Sequence, residues 1–195
     1  MITRAGAADA GHCGLLVATA FQHLPQAAWL IGDAERRLPV MAANFTMLVE
    51  HALAHGHVDL VDDRAVAVWF HREAGVEIPE PPDYDARVDA DCGEYADRFR
   101  ALDKAFEAHH PTRPHHHLAL LAVHPKAQRA GLGGELLRHH HSTLDSGGLD
   151  AFLEASTPES ARLYHRHGYQ PHGSPYALPD DGPLMWPLWR SAGAE

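Results

Sequence analysis

Apolar positions along this chain recur with two periods, one near 3.6 residues and one of two, and their alternation outlines the fold. A short strand is predicted to open at Thr3, followed by an apolar helix from about Ala10 to His23. Phe45, Leu48, Val49 and Ala52 stand at i, i+3, i+4 and i+7, a helical face that ends near Gly56. Val58–Val61 and Ala65–His71 read as strands joined at Asp62-Asp63 into a hairpin. In the second strand Val66, Val68 and Phe70 alternate with Ala67 and Trp69. Glu77 to Pro82 is neither helix nor central strand, because proline removes a donor and fixes φ; it reads as a surface excursion.

Tyr95, Phe99, Leu102 and Phe106 then mark an amphipathic helix, and His109 to His117 reads as a loop rich in proline and histidine. Leu118–Val123 is a continuous apolar run, as in a strand buried on both faces. Leu132, Leu136, Leu137 and Leu144 are spaced for a helix, and Ala151–Leu153 for a short buried strand. Thr157 is placed as an N-cap with Pro158 at the first helical position, and Gly168 lies just past the last turn. Met185–Trp189 closes the pattern as a strand, with Pro187 arguing for an edge or a bulge. The class is α/β with mixed strand order.

Composition narrows the setting. The 195 residues suit one domain, 1–195, with material for a sizeable core. No stretch approaches the roughly 20 apolar residues that span a bilayer. Gly14–Ala20 resembles the core of a signal peptide, but Arg4 is the only positive charge before it and Asp9 and His12 interrupt the approach. An amphipathic helix and a cytoplasmic location are expected. The two cysteines, Cys13 and Cys92, lie in no metal or redox spacing. The formal charge of −10 would repel nucleic acid, and it favours a cationic or amine-bearing small molecule.

The segment richest in chemistry is a strand, a loop, a glycine-rich turn and a helix. Leu118–Val123 leads through His124-Pro125-Lys126-Ala127 to Gln128-Arg129-Ala130-Gly131-Leu132-Gly133-Gly134. A helix N-terminus exposes unpaired amides and the positive end of its dipole. Glycines there let a pyrophosphate approach the main chain, and Arg129 adds charge. A P-loop is excluded because Glu135 follows Gly134 where lysine is needed, and a dinucleotide fingerprint because Leu136 stands at the third glycine.

Gln128-x-x-Gly131-x-Gly133, after Leu121-Ala122-Val123-His124-Pro125, resembles the acyl-coenzyme A signature of the GCN5-related N-acetyltransferase (GNAT) superfamily. Phe152–Ser156 and Ala161–Tyr169 resemble that family's next strand and helix. Ala65–Trp69, the proline-rich excursion, Ala151–Ser156 and Met185–Arg190 look like its puromycin N-acetyltransferase-like subgroup. The resemblance implies a mixed, mostly antiparallel sheet with helices on both faces, in which parallel strands Leu118–Val123 and Ala151–Glu154 splay into a cofactor cleft. It further implies an enzyme that moves an acetyl group from acetyl-coenzyme A to a primary amine, by direct attack in a ternary complex. Rival readings are another acyl donor, or a catalytically silent acyl-coenzyme A sensor.

Carried over residue by residue, the resemblance gives the main chain of Leu121, Ala122 and Val123 to the pantetheine arm. It gives Gln128, Arg129, Ala130, Gly131, Leu132, Gly133 and Gly134 to the pyrophosphate, and Val123 N–H to the developing oxyanion. Tyr164 would protonate the departing thiolate and Glu154 would take the amine's proton. Leu163 and Ser160 would touch the cofactor, although Ser160 stands where the family usually has asparagine. Strand Ala65–His71, the excursion through Pro82 and the helix around Tyr95–Phe106 are expected on the acceptor side, while their Trp69, Tyr84 and Phe99 are equally explicable as core. A monomer or homodimer is expected.

Eighteen histidines invite a metal hypothesis. His51 and His55 have the i, i+4 spacing of helical zinc ligands, but Ala52 replaces the glutamate of a His-Glu-x-x-His motif. His115–His117 and His139–His141 are expected to be solvated and scattered, because adjacent helical side chains diverge. No metal site is expected.

Overall fold

The computed structural model describes residues 1–194. Its strands are β1 (Ile2–Arg4), β2 (Gly56–Val61), β3 (Ala65–Arg72), β4 (His115–Val123), β5 (Ala151–Ala155), β6 (Gln170–Pro171), β7 (Tyr176–Ala177) and β8 (Leu184–Arg190). They form one open sheet ordered β1-β2-β3-β4-β5-β8-β6, with β7 also paired to β8. All neighbouring pairs are antiparallel except β4–β5, which is parallel. The helices are α1 (Ala10–Phe21), α2 (Pro25–Leu30), α3 (Ala34–His55), α4 (Tyr84–Cys92), α5 (Ala96–His109), α6 (Leu132–Gly147) and α7 (Pro158–His165).

The two-residue period of the strands divides the core between the faces of the sheet. Ala65, Ala67 and Trp69 of β3 pack with Leu136, Leu137 and Leu144 of α6 and with Tyr164 of α7. Val66, Val68 and Phe70 point the other way, into Leu16 and Val17 of α1 and Val49 and Ala52 of α3. Cys13, in the helix whose apolar run resembles a signal core, is fully buried in that second layer. Both cysteines are free, and burial raises their thiols, to about 11 for Cys13 and about 12 for Cys92. None of the described helices is long and apolar enough to cross a membrane.

The strand β4 carries a bulge. Val68 faces Leu120 but Trp69 faces Leu118, so Ala119 has no partner across the ladder. The extra residue reverses the alternation of facing within β4: Leu118 joins the α6 side, while Leu120 and Ala122 join the α1–α3 side.

The structure corrects two expectations and decides a third point left open. His115–His117 are not loop; β4 begins at His115, and its histidines disguise a strand start because they are polar by composition yet packed in the sheet. Pro187 does not mark an edge: β8 runs between β5 and the short β6 and β7. Pro187 carbonyl accepts from His172 N–H at 2.9 Å, so its missing donor faces the gap between β6 and β7, and the β5 ladder loses nothing. Of the two readings open for Trp69 and Phe99, the structure gives core, with Trp69 on the α6 face.

Candidate functional site

A cleft arises because β4 and β5 separate. Their pairing is confined to His116↔Ala151 and His117↔Phe152, and beyond those positions the parallel register ends. The other edge of β4 stays joined to β3 through Ala67↔Leu121, Val66↔Ala122 and Ala65↔Val123. Main-chain groups of Leu121, Ala122 and Val123 that face β5 therefore have no ladder to fill, which suits a ligand with amides of its own.

The glycine-rich turn closes one end. Gln128 does more than lead into it, because its side-chain amide donates to Val123 carbonyl at 3.2 Å and ties the turn to the strand. Arg129 is exposed and left-handed at φ +64°, followed by exposed Ala130 and by Gly131 at φ +84°. A side chain at Gly131 would meet open space but a strained backbone, costing about 1–2 kcal/mol. The first helical bond runs from Glu135 N–H to Gly131 carbonyl at 3.0 Å, so the amides of Gly131, Leu132, Gly133 and Gly134 precede the α6 ladder.

Gly133 is the junction of the site. A Cβ there would lie 3.7 Å from Leu121 Cδ2, 3.7 Å from Val123 Cγ2 and 3.8 Å from Leu163 Cδ2. Side chains of the strand and of α7 thus converge on this one position of the turn. Gly134 has an internal reason as well: its Cβ would come within 3.0 Å of His167 Nε2.

On α7, Thr157 caps the helix by accepting from Ser160 N–H at 3.0 Å, while Ser160 Oγ accepts from Thr157 N–H at 3.1 Å. Ser160 Oγ also donates to Thr157 carbonyl at 2.9 Å, so its hydroxyl serves the cap. Tyr164 is buried on the α6–α7 face, with its ring 5.8 Å from that of Tyr169. Burial raises its phenol, which keeps the proton in place near neutral pH.

Glu154 lies two residues past the last β4–β5 pair. Its neighbours Leu153 and Ala155 point into the α6 layer, so Glu154 faces the opposite side. Its side chain is only 4% exposed; Oε2 sits 3.3 Å from His117 Nε2, and Oε1 is buried without a hydrogen-bond partner among the described residues. An unmatched buried carboxylate oxygen is costly, and calls for a water, an ion or a ligand to complete it. The carboxylate's charge acts on Arg72 and on Tyr176, whose hydroxyl is likewise buried without a partner among the described residues. Burial lowers the Arg72 guanidinium and raises the Tyr176 phenol. His117, Arg72 and Tyr176 belong to no motif of the sequence. They come from three strands far apart in the chain, and only register brings them to Glu154.

The expectation of solvated, scattered histidines is overturned. His115, His116, His140 and His141 are buried, and burial pulls their imidazoles down, to about 4, 4, 2 and 3. On α6, His140 lies over His57, His71 and His116, one from each of the neighbouring strands β2, β3 and β4, while His141 packs against Trp69 and Tyr169.

Comparison with known proteins gives this geometry a relation. Residues 95–171, which hold β4, the glycine turn, Glu154 and Tyr164, match the family model described as an acetyltransferase (GNAT) domain. An acetyltransferase related to histone acetyltransferase HPA2 from Corynebacterium glutamicum superposes at TM-score 0.74 with 23% identity, over 100% of this chain and 97% of that one. Drosophila melanogaster polyamine N-acetyltransferase gives 0.64 and 16%, over 98% and 99%. A mosquito arylalkylamine N-acetyltransferase-like protein gives 0.62 and 13%, over the same shares, 98% and 99%. At these identities the solved structures establish a shared fold, the mixed sheet with one parallel, splayed pair.

Proposed function

We propose that this chain, working as one domain over 1–195, transfers the acetyl group of acetyl-coenzyme A to a primary amine of a small molecule. The observation that carries the reading is Glu154: a buried carboxylate with one unmatched oxygen, two residues past the point where β4 and β5 part. A cationic amine is the natural complement of such a group. Gly131, open at φ +84° and followed by free helix-start amides, supplies a cradle for the donor's diphosphate.

In this reading both substrates are bound together. The amine nitrogen attacks the thioester carbon and forms the C–N bond while Glu154 takes the nitrogen's proton, directly or through water. Val123 N–H faces the developing oxyanion. The C–S bond then breaks, and Tyr164 returns a proton to the thiolate. His117 holds the Glu154 carboxylate from behind. The names of the polyamine and arylalkylamine enzymes, and the charge of −10, support an amine acceptor. The puromycin N-acetyltransferase-like assignment rests on the matches at Ala65–Trp69 and Met185–Arg190, and does not specify the amine.

Free-thiol release from acetyl-coenzyme A, followed across a panel of primary amines, tests the reading. Amine-dependent release that collapses in the Glu154→Gln, Tyr164→Phe double variant is expected. Release unchanged in that variant overturns the mechanism, and tight binding with no turnover on any amine replaces the enzyme with a sensor.

A further inference from the structure

Beneath α6, on the face of the sheet opposite Glu154, lies a polar cluster that the transfer reaction does not use. β2 presents His57 and Asp59 at i and i+2, and α6 lowers His140 onto them. One ligand atom from each of these three residues lies within 4.8 Å of the others. They are 7%, 1% and 3% exposed, so water does not satisfy them.

The internal geometry of the cluster is unusual for a simple hydrogen-bond network. His57 Nε2 and Asp59 Oδ2 face each other at 3.4 Å, yet each is buried without a hydrogen-bond partner among the described residues. Two ligand atoms around a tetrahedral ion at about 2.0–2.1 Å stand about 3.3 Å apart, close to what these atoms already do. His57 Nδ1 meets His71 Nε2 at 2.7 Å, and His140 Nε2 meets His116 Nδ1 at 2.9 Å. Outer partners of this kind fix the ring orientation of metal-bound histidines. The rings of His71 and His116 stack at 4.0 Å, which closes the set from the sheet side.

We propose that His57, Asp59 and His140 bind one divalent transition-metal ion of zinc's class, pinning α6 to β2. Two imidazoles and one carboxylate are the donor set of such borderline ions, with a fourth position left for another donor. Such an ion would brace the helix whose N-terminus forms the glycine turn. The competing arrangement is ion-free, with Arg4 Nη1 holding Asp59 Oδ1 at 3.3 Å and the imidazoles bonded only to one another.

The test uses full-length protein without a polyhistidine tag, stripped with chelator and titrated with zinc by calorimetry and with cobalt by visible absorption. One tight equivalent, a rise in the thermal midpoint with zinc, and the d–d bands of low-coordinate cobalt are expected. Asp59→Asn and His140→Gln should each weaken that equivalent by at least about 100-fold. His55→Asn, which removes the helical His51/His55 pair, should leave it intact. Absence of a tight equivalent in the unaltered protein overturns the proposal, as does its survival in both cluster variants. Should His140→Gln fail to fold, the near-isosteric Asp59→Asn decides, with zinc binding read against its own circular dichroism.

Discussion

Glu154, the base of the proposed transfer, holds a carboxylate that is shielded from water and left half unpaired. The amide of Glu154→Gln keeps the shape and removes the basicity. Its kcat should fall by about 10²–10⁴-fold, with KM for acetyl-coenzyme A little changed. Tyr164→Phe removes the proposed proton donor and keeps the ring that packs beside Tyr169. It should lower kcat within the same range, about 10²–10⁴-fold at its largest, and leave folding unchanged. Steady-state kinetics of both variants, with circular dichroism as the folding control, checks the pair. A Glu154→Gln enzyme of full activity would move the base to His117, the group 3.3 Å away.

At the scale of elements, α1 rides on α3 at Gly14. A Cβ at that position would fall 2.3 Å from Thr46 Oγ1, 2.7 Å from Thr46 N and 2.9 Å from Ala42 O, two of which are backbone atoms that cannot swing aside. Gly11, on the same helix, has open space around it. Gly14→Ala should therefore destabilise the protein by about 1–3 kcal/mol. Gly11→Ala should stabilise it by up to about 1 kcal/mol through helix propensity. Denaturant unfolding distinguishes them, and equal effects would mean that α1 and α3 do not approach as described.

The elements also show where sequence reading succeeds and where it stops. The glycine turn and the Thr157–Pro158 start of α7 are legible because glycine and proline impose local backbone demands that neighbours cannot undo. The short helix α2 escapes the pattern, with only Ala27, Trp29 and Leu30 to suggest a face. So does α4, whose Asp85, Asp89 and Asp91 are poor helix formers. The site itself is half legible. Glu154 and Tyr164 come from resemblance, whereas Arg72, His117 and Tyr176 are assembled by strand register. The His57, Asp59 and His140 cluster draws on a hairpin and a distant helix, a juxtaposition no local pattern announces.

Across the whole molecule, the open sheet keeps several histidines neutral. His110 and His115, bonded to each other at 3.0 Å, are held well below the ordinary histidine range, chiefly by burial. The unfolded chain takes protons near pH 6.5, and the folded one refuses them until much lower pH. Stability is then full above about pH 6.5 and is lost as pH falls below it, by up to about 1.4 kcal/mol per pH unit for each histidine. Urea unfolding at pH 7.5, 6.5 and 5.5 should show a declining midpoint. A midpoint that holds or rises towards pH 5.5 would mean that these rings are reached by water.

The fold's purpose in this account is to keep one end of a parted strand pair lined with unpaired main-chain amides. Calorimetric titration with acetyl-coenzyme A, set beside S-acetylpantetheine, which carries the same thioester and arm without the diphosphate, addresses that directly. Saturable binding of the full donor, and binding of the truncated one at least about 100-fold weaker, is the predicted result, equivalent to about 2.7 kcal/mol held by the turn. Equal affinity for the two compounds, or no heat with either, would contradict it.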